Sequence, residues 1–413
     1  MLPFGARGLA FLCVVVVLPR ALLAAGLGVT GNPQRWEYDV IAANIVNGAG
    51  HLYDRLGFLY FAYAPPLWSY ILAGLLLLPG ESRVSIQIVQ ALFCLGAALA
   101  VASLTHRITK DRRTGMLAGA CVALQPSLLY YSVAKSDPLP LNVFFLSVII
   151  LNGVELVRSP SENRAFGVGA LVGLAILARG TPAVALPLLA MALLTRWGGS
   201  AWKPIAAASL GCALCVAPWV ARNLAVLGAP ILTSTAGENF WRGNHEGAGG
   251  GVLDTDGGAI TKLFDSNPAL SEPIRLVVAH GTELERQEVF TAEAWRFIRS
   301  DPVAALRLYG LKLRTFWWRI ESSTEDYPAW AALTYAWIYR VELGLAVVGV
   351  FVVLRTPGRD AAILALSIVI AISLLQAAFY VQGRHRFLIE PILLMFTAIG
   401  VRSLRGRISL NKP

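Results

Sequence analysis

Two acidic residues stand between aromatic residues in the sequence Trp36-Glu37-Tyr38-Asp39, shortly after an apolar stretch that ends near residue 29. A carboxylate held against a bilayer is costly, so its presence there indicates a task. Such a group can take the proton of a hydroxyl as that oxygen forms a new bond. The spacing i, i+2 points Glu37 and Asp39 to different sides of a helix. Only one of them is therefore predicted to be central, and Glu37 is favoured.

Arginines at the ends of apolar stretches are the second set of candidates. Arg384 and Arg386 flank His385 just before the last apolar stretch, and Arg179 and Arg222 follow two others. A guanidinium binds phosphate through paired hydrogen bonds and stays charged in a poorly solvated site. These four arginines are therefore candidate ligands of a phosphate group. The alternative is that they anchor or cap helices at the membrane interface.

Side chains that suit a sugar or its acceptor occur in the same connections. Amide groups bind hydroxyls, and an aromatic ring covers the apolar face of a sugar. The candidates are Tyr38, Lys135, Asp137, Asn239, Trp241, Asn244 and His245. A local ion pair of Lys135 with Asp137, and a flexible loop around 239–245, are the alternatives. His245 and Glu246 lack the spaced ligands of a zinc site, so no metal site and no cofactor is indicated, although Asp137 could help to hold a divalent ion.

The composition is that of a polytopic membrane protein. Hydrophobic residues make up 56% of the 413 residues and charged residues 15%, with a mean hydropathy of +0.60, whereas soluble domains carry about 25% charged residues. The net charge of +10 does not indicate nucleic acid, because the long polar segment 222–330 is mildly acidic. The positive excess lies in short loops and in the C-terminal tail, as the positive-inside rule expects. Membrane lipids, and no nucleic acid, are the predicted surroundings.

Loop charges predict the topology. The apolar stretches that are long enough, or nearly so, to cross a bilayer are 8–29, 84–104, 114–132, 138–157, 165–178, 182–195, 203–221, 331–354, 361–380 and 387–401. The basic loop 105–113 should be cytoplasmic, which requires the apolar run 67–78 after Pro65-Pro66 not to cross. The sequence thus predicts ten spans with both termini inside. It divides into an N-terminal module 1–221 with a first outer loop 30–83, an outer segment 222–330, and a C-terminal module 331–413.

The outer segment contains two predicted amphipathic helices. Apolar and charged positions alternate at helical spacing over 285–299. Asp301-Pro302 supplies an N-cap and a proline at the first helical position, which predicts a second helix over 302–319. Residues 237–258 are rich in glycine and predict a loop. Cys212 and Cys215 have redox-motif spacing but lie in an apolar stretch without acidic or histidine neighbours, so plain thiols are predicted.

Four motifs, taken together, carry a family resemblance. The first begins at Trp36-Glu37-Tyr38-Asp39 and is followed by Ala64-Pro65-Pro66. The others are Pro218-Trp219-x-x-Arg222-Asn223, Glu238-Asn239-x-Trp241-x-Gly243-Asn244 and Arg384-His385-Arg386-Phe387-x-Ile389-Glu390-Pro391. Their order and spacing resemble the GT-C superfamily of membrane glycosyltransferases, most closely the protein O-mannosyltransferase and aminoarabinose (lipid A) transferase family. Each motif is short, but the set spans most of the chain.

The resemblance implies an all-α, GT-C-type bundle of about ten transmembrane helices. Amphipathic juxtamembrane helices would lie in the first outer loop, and a large outer loop between helices 7 and 8. It implies a polyprenyl-phosphate-linked sugar as donor, and inverting transfer on the outer face to a lipid, glycan or protein acceptor. The first-loop carboxylate is the usual catalytic residue of the family, and a bacterial inner membrane is the expected location. The chain departs from the aminoarabinose transferases at Gln34 and Arg35, where these enzymes carry an Asp-Glu pair.

Two functions of other classes stay open. A lipid-linked sugar flippase or other transporter is often built from repeated halves, and no internal repeat is recognisable in this sequence. A non-catalytic scaffold of the cell envelope, with a vestigial acidic pair, is compatible with the departure at Gln34 and Arg35.

Overall fold

The computed structural model of the chain describes residues 4–55, 57–79, 83–251, 270–318 and 329–406. The later part of the predicted loop 237–258, Arg319 and the end of the basic tail lie outside these residues. The helices are α1 Gly5–Gly26, α2 Glu37–Val46, α3 Pro66–Leu76, α4 Val84–Thr109, α5 Arg112–Ala123, α6 Pro126–Ala134, α7 Leu139–Arg158, α8 Glu162–Ala178, α9 Ala185–Trp197, α10 Trp202–Leu227, α11 Ala236–Arg242, α12 Glu272–His280, α13 Glu283–Ser300, α14 Pro302–Trp318, α15 Ala329–Val353, α16 Arg359–Ala378, α17 Gly383–Arg386 and α18 Glu390–Leu404. Two short 3-10 helices, Thr181–Val184 and Gly198–Ala201, flank α9.

Long apolar helices make this an integral membrane protein. In the described part of the chain, six helical segments are long and apolar enough to cross a membrane, and the bent pair α5 and α6 forms a seventh if it is counted as one span. Helix α8 has 17 residues and α18 has 15, which is short for a span. The segment Thr181–Leu227 passes as one unit but contains two of the predicted spans. All ten predicted spans overlap helices, and the count of ten stays a prediction.

The apolar run 67–78 forms the separate helix α3, which is too short to cross a membrane. Its 11 residues rise about 16 Å, against a hydrocarbon core of about 30 Å. Pro66 occupies its first turn, where the missing N–H has no intrahelical partner to lose. The ring of Trp68 is completely buried, and α3 packs against α2. The helix that carries Glu37 therefore rests on an apolar support.

The predicted span 114–132 is broken, which the apolar pattern did not indicate. Helices α5 and α6 meet at an angle of 46°. Pro126 has no N–H to continue the first helix, and the side chain of Gln125 accepts the N–H groups of Ser127 and Leu128 at 2.7 and 3.1 Å. Gln125 thus caps the second helix. The break is a defined feature with its own polar partners.

Arg20 of the first span turns toward this break. Its guanidinium donates to the carbonyl of Ala123, the last residue of α5, at 3.0 Å and to the hydroxyl of Ser132 in α6 at 2.9 Å. The side chain is buried. Arg20 therefore satisfies a carbonyl that the bend leaves without an intrahelical partner.

Glycines let two pairs of helices approach to backbone contact. A Cβ atom on Gly169 of α8 would stand 1.8 Å from the carbonyl oxygen of Ala208 in α10, and one on Gly211 would stand 2.2 Å from that of Phe166. Helices α15 and α18 meet in the same way at Gly349. Small residues serve helix association in membranes because close packing replaces the hydrophobic effect there. The two interfaces fix the frame that holds the outer loops.

The outer segment contains the predicted amphipathic helices. Helix α13 begins with a capping box formed by Thr282 and Glu285, and α14 follows with Asp301 accepting the N–H of Ala304 at 2.9 Å. Both helices are confirmed. The first outer loop adds an antiparallel hairpin of Tyr53–Arg55 and Phe58–Tyr60 to the otherwise helical chain. All five cysteines are free, as predicted for Cys212 and Cys215.

Candidate active site

Helix α2 presents Glu37 in its first turn and directs Asp39 elsewhere. The carboxylate of Asp39 accepts the backbone N–H of Trp36 at 3.3 Å and pairs with Arg83 at 3.4 Å. Asp39 is buried, at 6% exposure. It therefore closes the N-terminus of α2, where a negative charge is favourable. The two carboxylates have different neighbours, as their spacing predicts, and Asp39 is engaged by the protein.

Glu37 lies in the electrostatic field of residues from two other connections and of Arg55 in its own loop. Burial raises the pKa of Glu37, while Arg384 lowers it and Asp137 raises it, and the net result is a pKa above the ordinary value. The side chain is only half-buried. A carboxylate that is closely surrounded by protein but still accessible lines a recess. Such a group binds a proton more readily than a solvated carboxylate, which suits a general base.

Arg384, on the short helix α17, lies close enough to Glu37 to lower its pKa. Burial lowers the pKa of Arg384 itself, but the surrounding Tyr380, Tyr131 and Asp137 raise it, so that the pKa lies above the usual arginine value. The side chain is nevertheless exposed by accessible surface. Arg384 is therefore a permanent cation on an open wall of the same recess.

Three more residues belong to this arrangement: Asp137, Arg179 and Tyr38. We call these three, with Glu37 and Arg384, the Glu37 group. The carboxylate of Asp137 accepts the N–H of Leu139 at 2.8 Å at the start of α7. Burial raises its pKa above the usual range, although Arg384 opposes this shift. Burial and the neighbouring Arg384 lower the pKa of Arg179, and burial and Glu37 raise that of Tyr38. Two carboxylates and two guanidiniums thus share one half-buried recess.

Lys135 lies at the edge of the Glu37 group inside an aromatic cage. Its ammonium is 5.3 Å from the ring centre of Trp36, 5.8 Å from that of Tyr130 and 5.1 Å from that of Tyr131. The residue is 2% exposed. Cation–π attraction stabilises a buried ammonium of this kind. Lys135 is therefore part of the wall rather than an open ligand.

Four predicted ligands hold the outer segment instead of lining the recess. Arg222 donates to the carbonyl of Phe61 at 2.7 Å, so it fixes the end of the first-loop hairpin. Trp241 is buried in a small outer core and stacks on His245, with ring centres 4.5 Å apart. Asn244 is buried and accepts a hydrogen bond from Lys312 at 2.9 Å.

The placement of these four residues does not support direct sugar or phosphate contact. The motif that contains Trp241 and Asn244 lies in the stretch that folds over α13, whose apolar side takes up the indole ring of Trp241 against Phe290. Asn239 is half-buried in α11, and its backbone N–H bonds to the carbonyl of Thr235. The motif marks a packing contact of the outer segment.

Comparison with known proteins supplies the family context. Residues 63–221 match the family of dolichyl-phosphate-mannose-protein mannosyltransferases. No curated protein matches the chain. The oligosaccharyltransferase of Archaeoglobus fulgidus, solved with a tethered acceptor peptide that contains the NVT sequon, superposes with a TM-score of 0.53 at 14% identity, over 97% of this chain and 49% of its own. The chain has the GT-C fold. The resemblance to the GT-C superfamily of membrane glycosyltransferases is thereby confirmed.

A second structure of that archaeal enzyme, named AglB and solved with an inhibitory peptide and a dolichol-phosphate, gives a TM-score of 0.52 at 14% identity, over 98% of this chain and 52% of its own. The present GT-C chain therefore spans about half the length of the solved structures that it matches. The likeness at this identity concerns the fold.

Arg386, the second arginine of the predicted phosphate pair, is at the centre of a buried network of this GT-C bundle. It is 0% exposed. Its guanidinium donates to Glu390 at 3.1 Å, to the carbonyl of Phe316 at 3.0 Å and to the hydroxyl of Tyr335 at 3.2 Å, and it stacks on Tyr339 with 3.7 Å between the guanidinium carbon and the ring centre. The guanidinium of Arg386 is thus bonded to protein groups. Phosphate binding, which the sequence predicts for both arginines, has geometric support only at Arg384.

Glu390 extends this network to the break between α5 and α6. It accepts hydrogen bonds from the side chains of Gln125 and Tyr335 and, at 3.3 Å, from the hydroxyl of Ser127. The network therefore ties the end of α14, helix α15, the Arg384 turn and the bent pair together. A buried polar network of this kind specifies one arrangement when all its members are bonded.

Loss of one member of this ion pair should be strongly destabilising. Arg386→Met is expected to lower the free energy of unfolding by about 3–5 kcal/mol, because it leaves Glu390 buried without its cation. The check is the thermal unfolding temperature of the purified chain in detergent. Arg386→Met combined with Glu390→Leu should lose less than Arg386→Met alone. Equal stability of wild type and Arg386→Met would contradict the assigned role.

Sequence reasoning missed a second ion-pair group beside the recess. Glu238 of α11 pairs with Arg55 of the hairpin at 3.0 Å and with Arg242. Burial raises the pKa of Glu238, but Arg242 and Arg55 lower it below the usual range. Arg55 also acts on Glu37, and Arg242 lies 5.9 Å from the ring centre of Tyr380. The sequence signal for this ion-pair group was Glu238, the first residue of the motif Glu238-Asn239-x-Trp241.

No metal site is indicated among the residues that the structure describes, which contain no group of three or more histidine, cysteine, aspartate or glutamate side chains placed to hold a metal ion.

Proposed function

We propose that this protein is an inverting glycosyltransferase that moves a sugar from a polyprenyl-phosphate donor to a lipid or glycan acceptor on the outer face of the membrane. The observation that carries the proposal is that the half-buried carboxylate of Glu37 and the cation of Arg384 lie close enough to act on each other's pKa. The match to dolichyl-phosphate-mannose-protein mannosyltransferases and the dolichol-phosphate bound to the archaeal enzyme support the donor class. Loop charges support a recess on the outer side of the membrane, and the family resemblance supports a bacterial inner membrane with the recess facing the periplasm.

The reaction follows from the charges of the recess. The Glu37 carboxylate takes the proton of the acceptor hydroxyl as its oxygen bonds to the anomeric carbon. The bond between that carbon and the phosphate oxygen breaks on the opposite side, which inverts the configuration. The electron pair leaves with the polyprenyl phosphate, and Arg384, with Arg179 beside it, stabilises the added negative charge. Asp137 and Tyr38 line the space in which the acceptor is held.

A protein hydroxyl is the second candidate acceptor, because the matched family transfers mannose to protein. The test is transfer of radiolabel from native polyprenyl-phosphate sugars in membranes that contain the protein. Label in an extractable lipid or glycan supports the proposal, and label in protein supports the second candidate. Movement of the labelled donor across the bilayer without a new bond would instead indicate a transporter. If label were neither transferred nor moved across the bilayer, the protein would be assigned as a scaffold.

The pH dependence of transfer should report the environment of Glu37. The base acts only when deprotonated, so the rate rises with pH through the raised pKa of Glu37. Asp137 is one of the groups that raise this pKa. Asp137→Asn should therefore shift the acidic limb of the pH–rate profile to lower pH, whatever its effect on the maximal rate. Asp360→Asn, which removes an exposed carboxylate, is the control, and a shift to higher pH in Asp137→Asn would exclude the assignment.

A further inference from the structure

A cavity of about 360 Å³ opens at the C-terminal end of α1, where the first span leaves the membrane. Its apolar lining residues are Leu27, Val29, Pro33 and Ala134. Its volume falls in the range of about 300–1,000 Å³ that is typical of small-ligand sites. An apolar wall that continues from a membrane span is accessible to a lipid chain.

The rest of the lining is polar and carries one positive charge. It consists of Asn32, Gln34, Arg35 and Tyr130, and no acidic residue lines the cavity among the residues that the structure describes. The side chain of Arg35 is exposed. Glu37 and Asp39 are the nearest carboxylates along the chain; Asp39 is engaged by Arg83 and by the backbone of Trp36 and also lies in the field of Arg35. Because the side chain of Arg35 is exposed, it can still meet an anion that enters the cavity.

A second cation stands behind this wall. The ammonium of Lys135 is 5.8 Å from the ring centre of Tyr130, whose ring faces the cavity. Burial of Lys135 keeps its charge from being screened by solvent. The field in the cavity is therefore positive from two sides, which favours a negatively charged headgroup.

Hydrogen bonds hold the walls of the cavity in place. The backbone N–H of Gln34 donates to Ala134 at 2.7 Å, and Gln34 accepts from the N–H of Ser136 at 2.9 Å. The side chain of Gln87 donates to the carbonyl of Val29 at 2.9 Å and accepts from the N–H of Gly31 at 3.0 Å. A preformed site loses little conformational entropy on binding, which raises affinity.

The cavity is separate from the recess of the Glu37 group. Tyr130 lines the cavity, whereas the next residue, Tyr131, lies in the field of Arg384. Lys135, caged by Trp36, Tyr130 and Tyr131, stands between them. A ligand of the cavity is therefore distinct from a phosphate bound at Arg384.

We propose that this cavity binds the phosphate-bearing headgroup of a lipid, with Arg35 as its cationic contact and Leu27 and Val29 beside the start of the acyl chain. Asn32, Gln34 and Tyr130 supply hydrogen bonds to phosphate and glycerol oxygens. The site requires no transfer activity. Its existence and the proposed glycosyl transfer can therefore fail independently of each other.

The test is native mass spectrometry of the purified full chain in detergent, titrated with phosphatidylglycerol. Diacylglycerol with the same acyl chains serves as the probe without phosphate. Wild type should bind phosphatidylglycerol more tightly than diacylglycerol. Arg35→Gln should raise the dissociation constant of the first bound phosphatidylglycerol about tenfold, the equivalent of one lost charged hydrogen bond. Val29→Trp, which fills the cavity and keeps the charge, should raise it as well.

Arg299→Gln is the matched control, since it removes an exposed arginine of the outer segment, and it should bind like wild type. An unchanged dissociation constant in both Arg35→Gln and Val29→Trp would overturn the proposal, as would equal binding of diacylglycerol. Competition by glycerol phosphate distinguishes the source of the phosphate. Displacement at concentrations similar to the lipid's would assign the site to soluble phosphate esters, and failure to displace would assign it to lipid.

Discussion

Glu37→Gln is expected to reduce sugar transfer by about 10²–10⁴-fold, the usual contribution of a positioned acid or base. The amide has nearly the same shape as the carboxylate and makes similar contacts, but it cannot take the acceptor's proton. The measurement is the initial rate of label transfer at equal protein level. The loss should fall on the maximal rate, with little change in the concentration of donor needed for half of it, because Glu37 acts on the acceptor's proton in the transition state.

Asp39→Asn is the matched control for Glu37→Gln. It removes the same charge two residues away, where the carboxylate caps α2 and pairs with Arg83. The pair joins a buried carboxylate to a partly exposed arginine and serves the start of α2, so transfer at equal protein level should fall only a few-fold. If Asp39→Asn abolished transfer and Glu37→Gln did not, the roles assigned to the two carboxylates would be exchanged. If neither mattered, the acidic pair would be structural.

Arg384→Gln is expected to lower transfer by about 10²–10³-fold, which is typical of the loss of one donor to a developing negative charge. Arg384 is the cation that lowers the pKa of Glu37, and the glutamine side chain can still donate a hydrogen bond but carries no charge. Arg384→Lys should recover part of the activity, since it restores the charge without the paired hydrogen bonds of a guanidinium. The rate is measured with saturating acceptor and varied donor.

Inhibition by free polyprenyl phosphate separates a phosphate-binding role of Arg384 from a structural one. Loss of a phosphate ligand should weaken this inhibition in Arg384→Gln, whereas general damage to the fold would lower the rate without a selective change in the inhibition constant. Arg275→Gln, an exposed change on α12, is the control for charge. Undiminished inhibition by polyprenyl phosphate in Arg384→Gln would assign the phosphate to other residues.

The sequence predicts much of the fold because its evidence is local. Apolar length and loop charges identify the helices, and capping residues such as Thr282 and Asp301 mark where the amphipathic helices begin. The break before Pro126 was missed because apolar residues continue on both sides of it. The polar groups at the break are hydrogen-bonded by Arg20 and Glu390. These residues lie more than 100 positions before and after the break along the chain.

The candidate site was predictable where charge and resemblance agreed, and not where packing decides. Glu37 and Arg384 are 347 residues apart in the sequence, and both lie in connections assigned to the outer face. Arg384 and Arg386 looked equivalent, but two residues on a helical turn face different directions. One lines the recess and the other enters the network around Glu390. Trp241 and Asn244 resembled ligands by residue type, yet α13 and α14 cover them.

The contact between Arg20 and the end of α5 has a consequence for how the chain is assembled. An arginine near the centre of a membrane helix raises the free energy of insertion by about 2.5–3.5 kcal/mol, and its partners Ala123 and Ser132 are made some hundred residues later. The hydrogen bonds of Arg20 form only after α5 and α6 have been made. The final rotation and packing of α1 therefore depend on helices that are synthesised after it.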